Sequence, residues 1–373
     1  MANTHILPVN LTEESFYVWL LSSFKFYTPY YLNLHICILS CLGGYYAIEQ
    51  KNRKLRLLIL NTSLYTKKIW ITGASEEDPA GQFEWLKNML EKAKKMKETV
   101  FIIGHIPPGK MERYMSSRFG YHAYADQFNK RYLKLVRDYH DVIAGQFFGH
   151  FHSDSFRIFY EKLDKTKGKF LERDPISYLF IAPAVSPRKS MFADEIGPNN
   201  PGLRLYQFNT TSGQIYDYSQ YYLNLTEANV RDRAEWKILY NLTNYYQLNN
   251  VSAASLSDLA FSFLKETGTD MFFKYYHANS VGYEDPRNCK DLCRRTHFCV
   301  ITNVDYQDYE RCIQTVFGPS PSSATSAPMP SSQVLMLQSI IPSCLLLLQN
   351  VRWSSSTSLS STSKWLSPPP RNL

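Results

Sequence analysis

Three histidines carry the chemistry that this chain of 373 residues offers. His105 stands just past an apolar run, Thr99-Val-Phe-Ile-Ile103, and opens the loop Gly104-His105-Ile-Pro-Pro-Gly109. His150 and His152 stand past a second run, in which Asp141-Val-Ile-Ala-Gly-Gln-Phe-Phe148 leads into Gly149-His150-Phe151-His152. Neutral imidazole is a common ligand for zinc-like ions. Residues two apart on an extended chain point to one face. His150 and His152 can therefore aim at one point if strand geometry persists or a tight loop follows. Two histidines at a strand end are also an ordinary feature. A third at the end of a neighbouring strand makes a metal site the stronger reading. In open α/β sheets, sites lie beyond the carboxyl ends of strands, which puts His105, His150 and His152 on one edge. Asp154 follows closely; the plain reading is a solvated loop carboxylate, and the sharper one a partner that orients a ligand histidine.

Such side chains need strands to hold them. An apolar run closed by glycine reads as a buried strand, giving candidates at Thr99–Ile103 and Val142–Phe148, and Leu55–Leu60 is a further strand candidate. Between them the period changes. Phe83, Leu86, Leu90 and Ala93 share a helical face, with Asp78 as N-cap and Pro79 at the first helical position. Phe128, Tyr132, Leu135, Val136 and Tyr139 mark a second amphipathic helix. Strand alternating with helix predicts an α/β layered fold. Runs at Phe156–Tyr160, Tyr178–Ile181 and Leu203–Phe208 add strands of a sandwich. From about Tyr221 the character shifts, and 225–275 reads as helical through Trp236, Leu239, Leu242, Leu256, Leu259, Phe263 and Leu264. Asn199-Asn200-Pro201-Gly202 reads as a turn before a strand, placed to line the site.

The net charge of +8 is mild and its basic residues are scattered. The one dense run, Lys92 to Lys97, is most simply the solvated face of a helix, so nothing points to nucleic acid. Four of the seven cysteines, Cys289, Cys293, Cys299 and Cys312, crowd one short stretch. Nearby disulfides would suit an oxidising compartment. A zinc site with His297 is the weaker alternative, since no Cys-x-x-Cys pair is present. Asn10, Asn61, Asn209, Asn224, Asn241 and Asn250 each head Asn-x-Ser/Thr, and their density after Asn209 favours a glycosylated, secreted protein.

Gly-His followed by Gly-His-x-His resembles the last motifs of the calcineurin-like metallophosphoesterases. Longer stretches narrow the resemblance. Ile59-Leu-Asn-Thr-Ser-Leu-Tyr65, Asp78-Pro-Ala-Gly-Gln-Phe-Glu-Trp-Leu86, Val142 to His150, Asn199-Asn-Pro-Gly-Leu-Arg204 and Tyr221-Tyr-Leu-Asn-Leu-Thr-Glu-Ala-Asn229 are similar to the acid sphingomyelinase-like phosphodiesterases of the 3a/3b type. The resemblance runs from about Gly43 to Gly318. It implies an α/β metallophosphoesterase β-sandwich flanked by helices over 43–220, incomplete at its N-terminal side. A small helical, disulfide-bearing C-terminal domain over 221–317 would follow, with pairs Cys289–Cys293 and Cys299–Cys312. It further implies a secreted or cell-surface enzyme that hydrolyses nucleotide or related phosphodiesters with two zinc ions. His105 and His150 would serve one ion, and His152 the other.

That family draws four further ligands from an Asp-x-His, a bridging Asp and a Gly-Asn-His. No counterpart occurs here, where the first Asp of the sequence is Asp78. Two divalent ions bind phosphate oxygens and activate water, but three imidazoles alone do not pin a bridged pair. Diesterase activity is therefore expected to be impaired, and no catalytic acid or base is assigned. The alternative is an inactive secreted or membrane-surface glycoprotein that binds a phosphate-bearing ligand or partner. Segment 1–42 shows no clear signal peptide, and its apolar runs fall short of the ~20 residues of a spanning helix. Segment 318–373 has no Asp or Glu, is rich in Ser and Pro, and reads as disordered. Both are expected to be atypical ends of a truncated chain.

Overall fold

Alternation along the strands decides the architecture. The structure is a computed structural model and describes residues 43–49, 54–66, 77–113, 122–162, 173–187, 199–265 and 269–317. The expected segments 1–42 and 318–373 lie outside the described residues. Strands β1 (Tyr46–Glu49), β2 (Leu55–Ile59), β3 (Thr99–Ile103), β4 (Ile143–Phe148), β5 (Ser155–Tyr160) and β6 (Pro175–Ile181) form one sheet in the order β1-β2-β3-β4-β6-β5. β2, β3, β4 and β6 run parallel, and β1 and β5 pair antiparallel at the two edges. Helices α1 (Gln82–Met96) and α2 (Asp126–Asp138) make the crossovers around β3.

Successive side chains of a strand face opposite sides of the sheet. On β3, Val100 and Ile102 join a core with Leu86, Leu90, Tyr132 and Val136 of the two helices. Phe101 and Ile103 join a different core on the other face. Both faces are thus buried, which is why β3 reads as an unbroken apolar run from Val100 to Ile103 rather than an alternating one.

The second face is closed by an antiparallel meander of β7 (Gly202–Phe208), β8 (Ile215–Leu223) and β9 (Trp236–Asn241). Its contact with the large sheet is aromatic. Phe101 meets Phe208 at 5.2 Å, Phe147 meets Tyr206 at 4.8 Å and Phe180 meets Tyr218 at 5.3 Å, all edge to face. Each such pair adds about 0.5–1.5 kcal/mol beyond burial. Much of the chain's Tyr and Phe content is used here.

The remaining helices are α3 (Leu225–Arg231), α4 (Leu242–Tyr246), α5 (Ala253–Ser262), α6 (Thr269–Asn279), α7 (Asp291–Thr302) and α8 (Tyr306–Phe317). Leu256, Phe263, Phe272, Tyr275 and Phe298 enter the same core as the aromatic strands. Cys289 bridges Cys293, and Cys299 bridges Cys312, as the family resemblance implied. All described residues fall in one compact unit.

Three local expectations change. Residues 225–275 are not helical throughout, because β9 interrupts them. Trp236, Leu239 and Leu242 satisfy a helical period, but pairing with β8 takes the backbone of Trp236–Asn241. Strands β1 and β8 had no apolar run to announce them. Asp78 caps α1 from a distance: Pro79–Gly81 forms a 3₁₀ turn, and the Asp78 carboxylate accepts from the backbone N–H of Phe83 at 2.7 Å and Glu84 at 2.9 Å. The α-helix therefore starts at Gln82 rather than Pro79.

Candidate metal centre

His105 and His150 come together just beyond the carboxyl ends of β3 and β4. The two strand ends are laced past their last residues, with Gly104 N–H on Phe147 O at 3.0 Å and Gly149 N–H on His105 O at 2.9 Å. Gly104 is required by close approach, because a Cβ there would lie 2.7 Å from both Phe148 Cε1 and Thr62 Cγ2. Thr62 also accepts the Ile106 N–H at 2.8 Å through its hydroxyl oxygen. Pro107, Pro108 and Gly109 are buried, and Gly109 turns the loop at a φ of 91°. His105 Nε2 then lies 3.2 Å from His150 Nδ1.

Strand geometry does not persist to His152. β4 ends at Phe148, and His150 and His152 both take positive φ, 70° and 57°. The Phe151 N–H bonds Gly149 O at 2.8 Å, closing a γ-turn about His150. Left-handed backbone is uncommon for residues with a β-carbon and clusters at functional sites. Between the two histidines Phe151 is buried in the helix-side core, which fixes the loop like a peg.

Asp154 is not a solvated loop carboxylate. It is buried, paired with Arg204 at 2.5 Å, and accepts from the Tyr240 hydroxyl. Its backbone N–H bonds Asn279 O at 3.1 Å, and its backbone O accepts from Asn279 Nδ2 at 2.8 Å. Burial rather than solvent sets this position, because Arg204 of β7 and Tyr240 of β9 close over the carboxylate. Beside it, Glu112 and Arg157 form a fully buried pair at 2.5 Å. Burial alone would raise the Glu112 carboxyl, but Arg157 holds it down at about 2.

The histidine rings are held neutral. Burial, with the neighbouring His105 and His152, lowers His150 to about 4. Burial and His152 lower His105 in the same direction. Neutral rings offer the lone pairs that metal binding requires. Two nitrogens on one tetrahedral zinc at ~2.0–2.1 Å sit about 3.3 Å apart, close to the 3.2 Å seen between His105 and His150. The pair fits the imidazole share of one ion. Among the described residues, no Asp, Glu, Cys or third imidazole brings a ligand atom within 4.8 Å of both.

Among the described residues, a trio of candidate ligands that does meet that closeness is Cys289, Cys293 and His297, all buried. Both sulfurs are spent on their disulfide. His297 Nδ1 lies 3.3 Å from the Tyr275 hydroxyl. Of the sequon asparagines, Asn250 is exposed, while Asn61, Asn209, Asn224 and Asn241 are half-buried. The amides of Asn61, Asn209 and Asn241 donate to Gly43 O, Tyr216 and Ser219. No helix among the described residues is long and apolar enough to cross a membrane.

Comparison with known proteins gives a consistent result. Residues 174–318 match the acid sphingomyelin phosphodiesterase C-terminal region. The chain is 38% identical over 273 residues to the cyclic GMP-AMP phosphodiesterase SMPDL3A of Bos taurus, covering 73% of this chain and 57% of that protein. It is 35% identical over 274 residues to the acid sphingomyelinase-like phosphodiesterase 3b of Mus musculus, covering 73% of this chain and 56% of that protein. Identity to the sphingomyelin phosphodiesterase of Bos taurus is 30% over 263 residues, covering 69% of this chain and 37% of that protein. The chain thus spans little more than half the length of its more similar curated relatives.

Proposed function

The chain is a relative of the acid sphingomyelinase-like phosphodiesterases, matched over most of its length, and on that premise we propose that it hydrolyses small-molecule phosphodiesters, nucleotide diesters among them, at a zinc centre that His105, His150 and His152 help to hold. The observation that carries this reading is the 3.2 Å approach of His105 Nε2 to His150 Nδ1 at the open ends of two parallel strands. Bound zinc would supply positive charge to the phosphate oxygens and polarise water. The residues of this chain do the rest. Gly104 and Thr62 set the His105 loop, the γ-turn sets His150, and the buried loop after Phe151 sets His152. Low proton affinity keeps the rings ready to ligate at neutral pH.

Two ions need carboxylates as well. With no carboxylate beside the histidine pair among the described residues, residues 1–373 on their own are proposed to turn over diesters slowly. That same observation favours a second reading, a protein that holds a phosphate-bearing ligand without turnover. The buried disulfides and the exposed Asn250 sequon support an extracellular, glycosylated setting for either.

Metal analysis of the purified chain beside hydrolysis of a cyclic dinucleotide separates the two. Zinc uptake with turnover supports the hydrolase. Zinc uptake with substrate binding and no turnover supports the binding protein. No zinc at all overturns the centre.

A further inference from the structure

His152 holds a left-handed backbone without being glycine. An L-residue keeps such a conformation where its surroundings over-determine it. Downstream, Asp154 is tied to Asn279 through both backbone groups. At His152 itself the tie comes from the Asn-Asn-Pro-Gly turn. Asn199 is buried and its Nδ2 donates to the His152 carbonyl at 2.5 Å.

An asparagine amide can bond in either of two flipped orientations. Here Arg113 decides between them. Its Nη1 donates to Asn199 Oδ1 at 2.5 Å. A guanidinium has donors and no acceptor, so Oδ1 must face Arg113 and Nδ2 must face the carbonyl. Asn200 stops the turn from swinging away: its Nδ2 bonds Val281 O at 3.0 Å and its Oδ1 accepts the Leu225 N–H at 3.1 Å. Gly202 N–H bonds Ala184 O at 2.8 Å and closes the other side.

We propose that Asn199 is a positioning residue for His152 and that Arg113 sets the polarity of its amide. Its consequence for metal binding rests on the zinc reading above; its effect on His152 does not. The Asn199–Gly202 turn thereby reaches back to a histidine of the strand edge through one side-chain amide.

The test uses the full chain with ring-carbon NMR of its histidines, His152 being assigned by loss of its signal in His152→Gln. Asn199→Asp is the discriminating variant. It keeps size and gains a charge partner in Arg113, but it has no N–H to give the carbonyl. The expected result is a wild-type melting temperature, a displaced His152 resonance and an unmoved signal from the exposed His140. Zinc competition should then show about ten- to a hundredfold weaker affinity, the usual cost of losing a partner that orients a ligand. Arg113→Met should displace the same His152 resonance by freeing the amide to flip. A wild-type His152 resonance in Asn199→Asp overturns the proposal, as does displacement of all histidine signals together. If the wild-type chain takes up no zinc, the metal centre fails, and the His152 resonance still decides the role of Asn199.

Discussion

Among the described residues, two clusters could ligate a metal by residue type, and they differ in what their ligand atoms do. At the strand edge, the exposed His105 and the half-buried His150 bring ring nitrogens to 3.2 Å, with His152 two residues on in a left-handed loop. At the start of α7, Cys289, Cys293 and His297 pack their ligand atoms within 4.8 Å, deep in the aromatic core. The tighter cluster is the inert one. Its sulfurs are joined to each other, and its imidazole is enclosed by Phe272, Tyr275 and Tyr276. Proximity alone does not make a site. Sulfurs already bonded to each other mark the second cluster, and left-handed backbone at the strand edge marks the first.

The sharpest way to break this contrast is to remove each cluster and read zinc. Changing His105 and His150 together to Ala is expected to weaken zinc uptake by more than about a hundredfold, since loss of outer partners alone costs up to that much. Changing Cys289 and Cys293 together to Ser should leave uptake as it was. Metal analysis that gave the reverse would exchange the roles of the two clusters.

Stability should follow the opposite order. By chain entropy, the Cys299–Cys312 bridge, with a sequence separation of 13, should contribute about 3 kcal/mol, and the Cys289–Cys293 bridge, with a separation of 4, about 2 kcal/mol. Calorimetry of each Cys→Ser double variant should rank the losses that way, while the His105/His150 variant melts near wild type. Equal losses from both bridges would mean that strain or residual structure outweighs loop length.

The smallest effect is a pH slope. Burial lowers His297 from 6.5 to about 4, against the raising influence of Glu112 and with the help of Arg113 and Arg157. Between those values the unfolded chain binds a proton that the folded chain refuses. The His297 contribution to stability is therefore whole above pH 6.5, shrinks as pH falls toward 4, and is gone below it. Melting temperatures of His297→Gln should fall less steeply over that window than wild type. Parallel curves would show that His297 is not held neutral.

The histidines were legible because glycine and histidine ended two apolar runs, and the parallel order of β3 and β4 turns that pattern into proximity. β9 was not legible, since apolar residues three apart fit a helix as well as a paired strand. Asp154 was misread for a related reason. A carboxylate two residues past a histidine carries no local sign of Arg204, fifty residues on, or of Tyr240 beyond it.

By itself the sequence determined the two-faced strands, the helices between them, the edge that bears His105, His150 and His152, and the resemblance that pairs the cysteines. These follow from local periodicity and short motifs, which neighbouring residues carry together. Tertiary structure alone decided that His150 and His152 bend into left-handed backbone, that Asp154 is buried, and that Asn199 and Arg113 meet the loop. Apart from the local γ-turn at His150, these depend on contacts between residues far apart in the chain, and the free energy of such contacts exists only once the two sheets and the C-terminal helices have closed over one core.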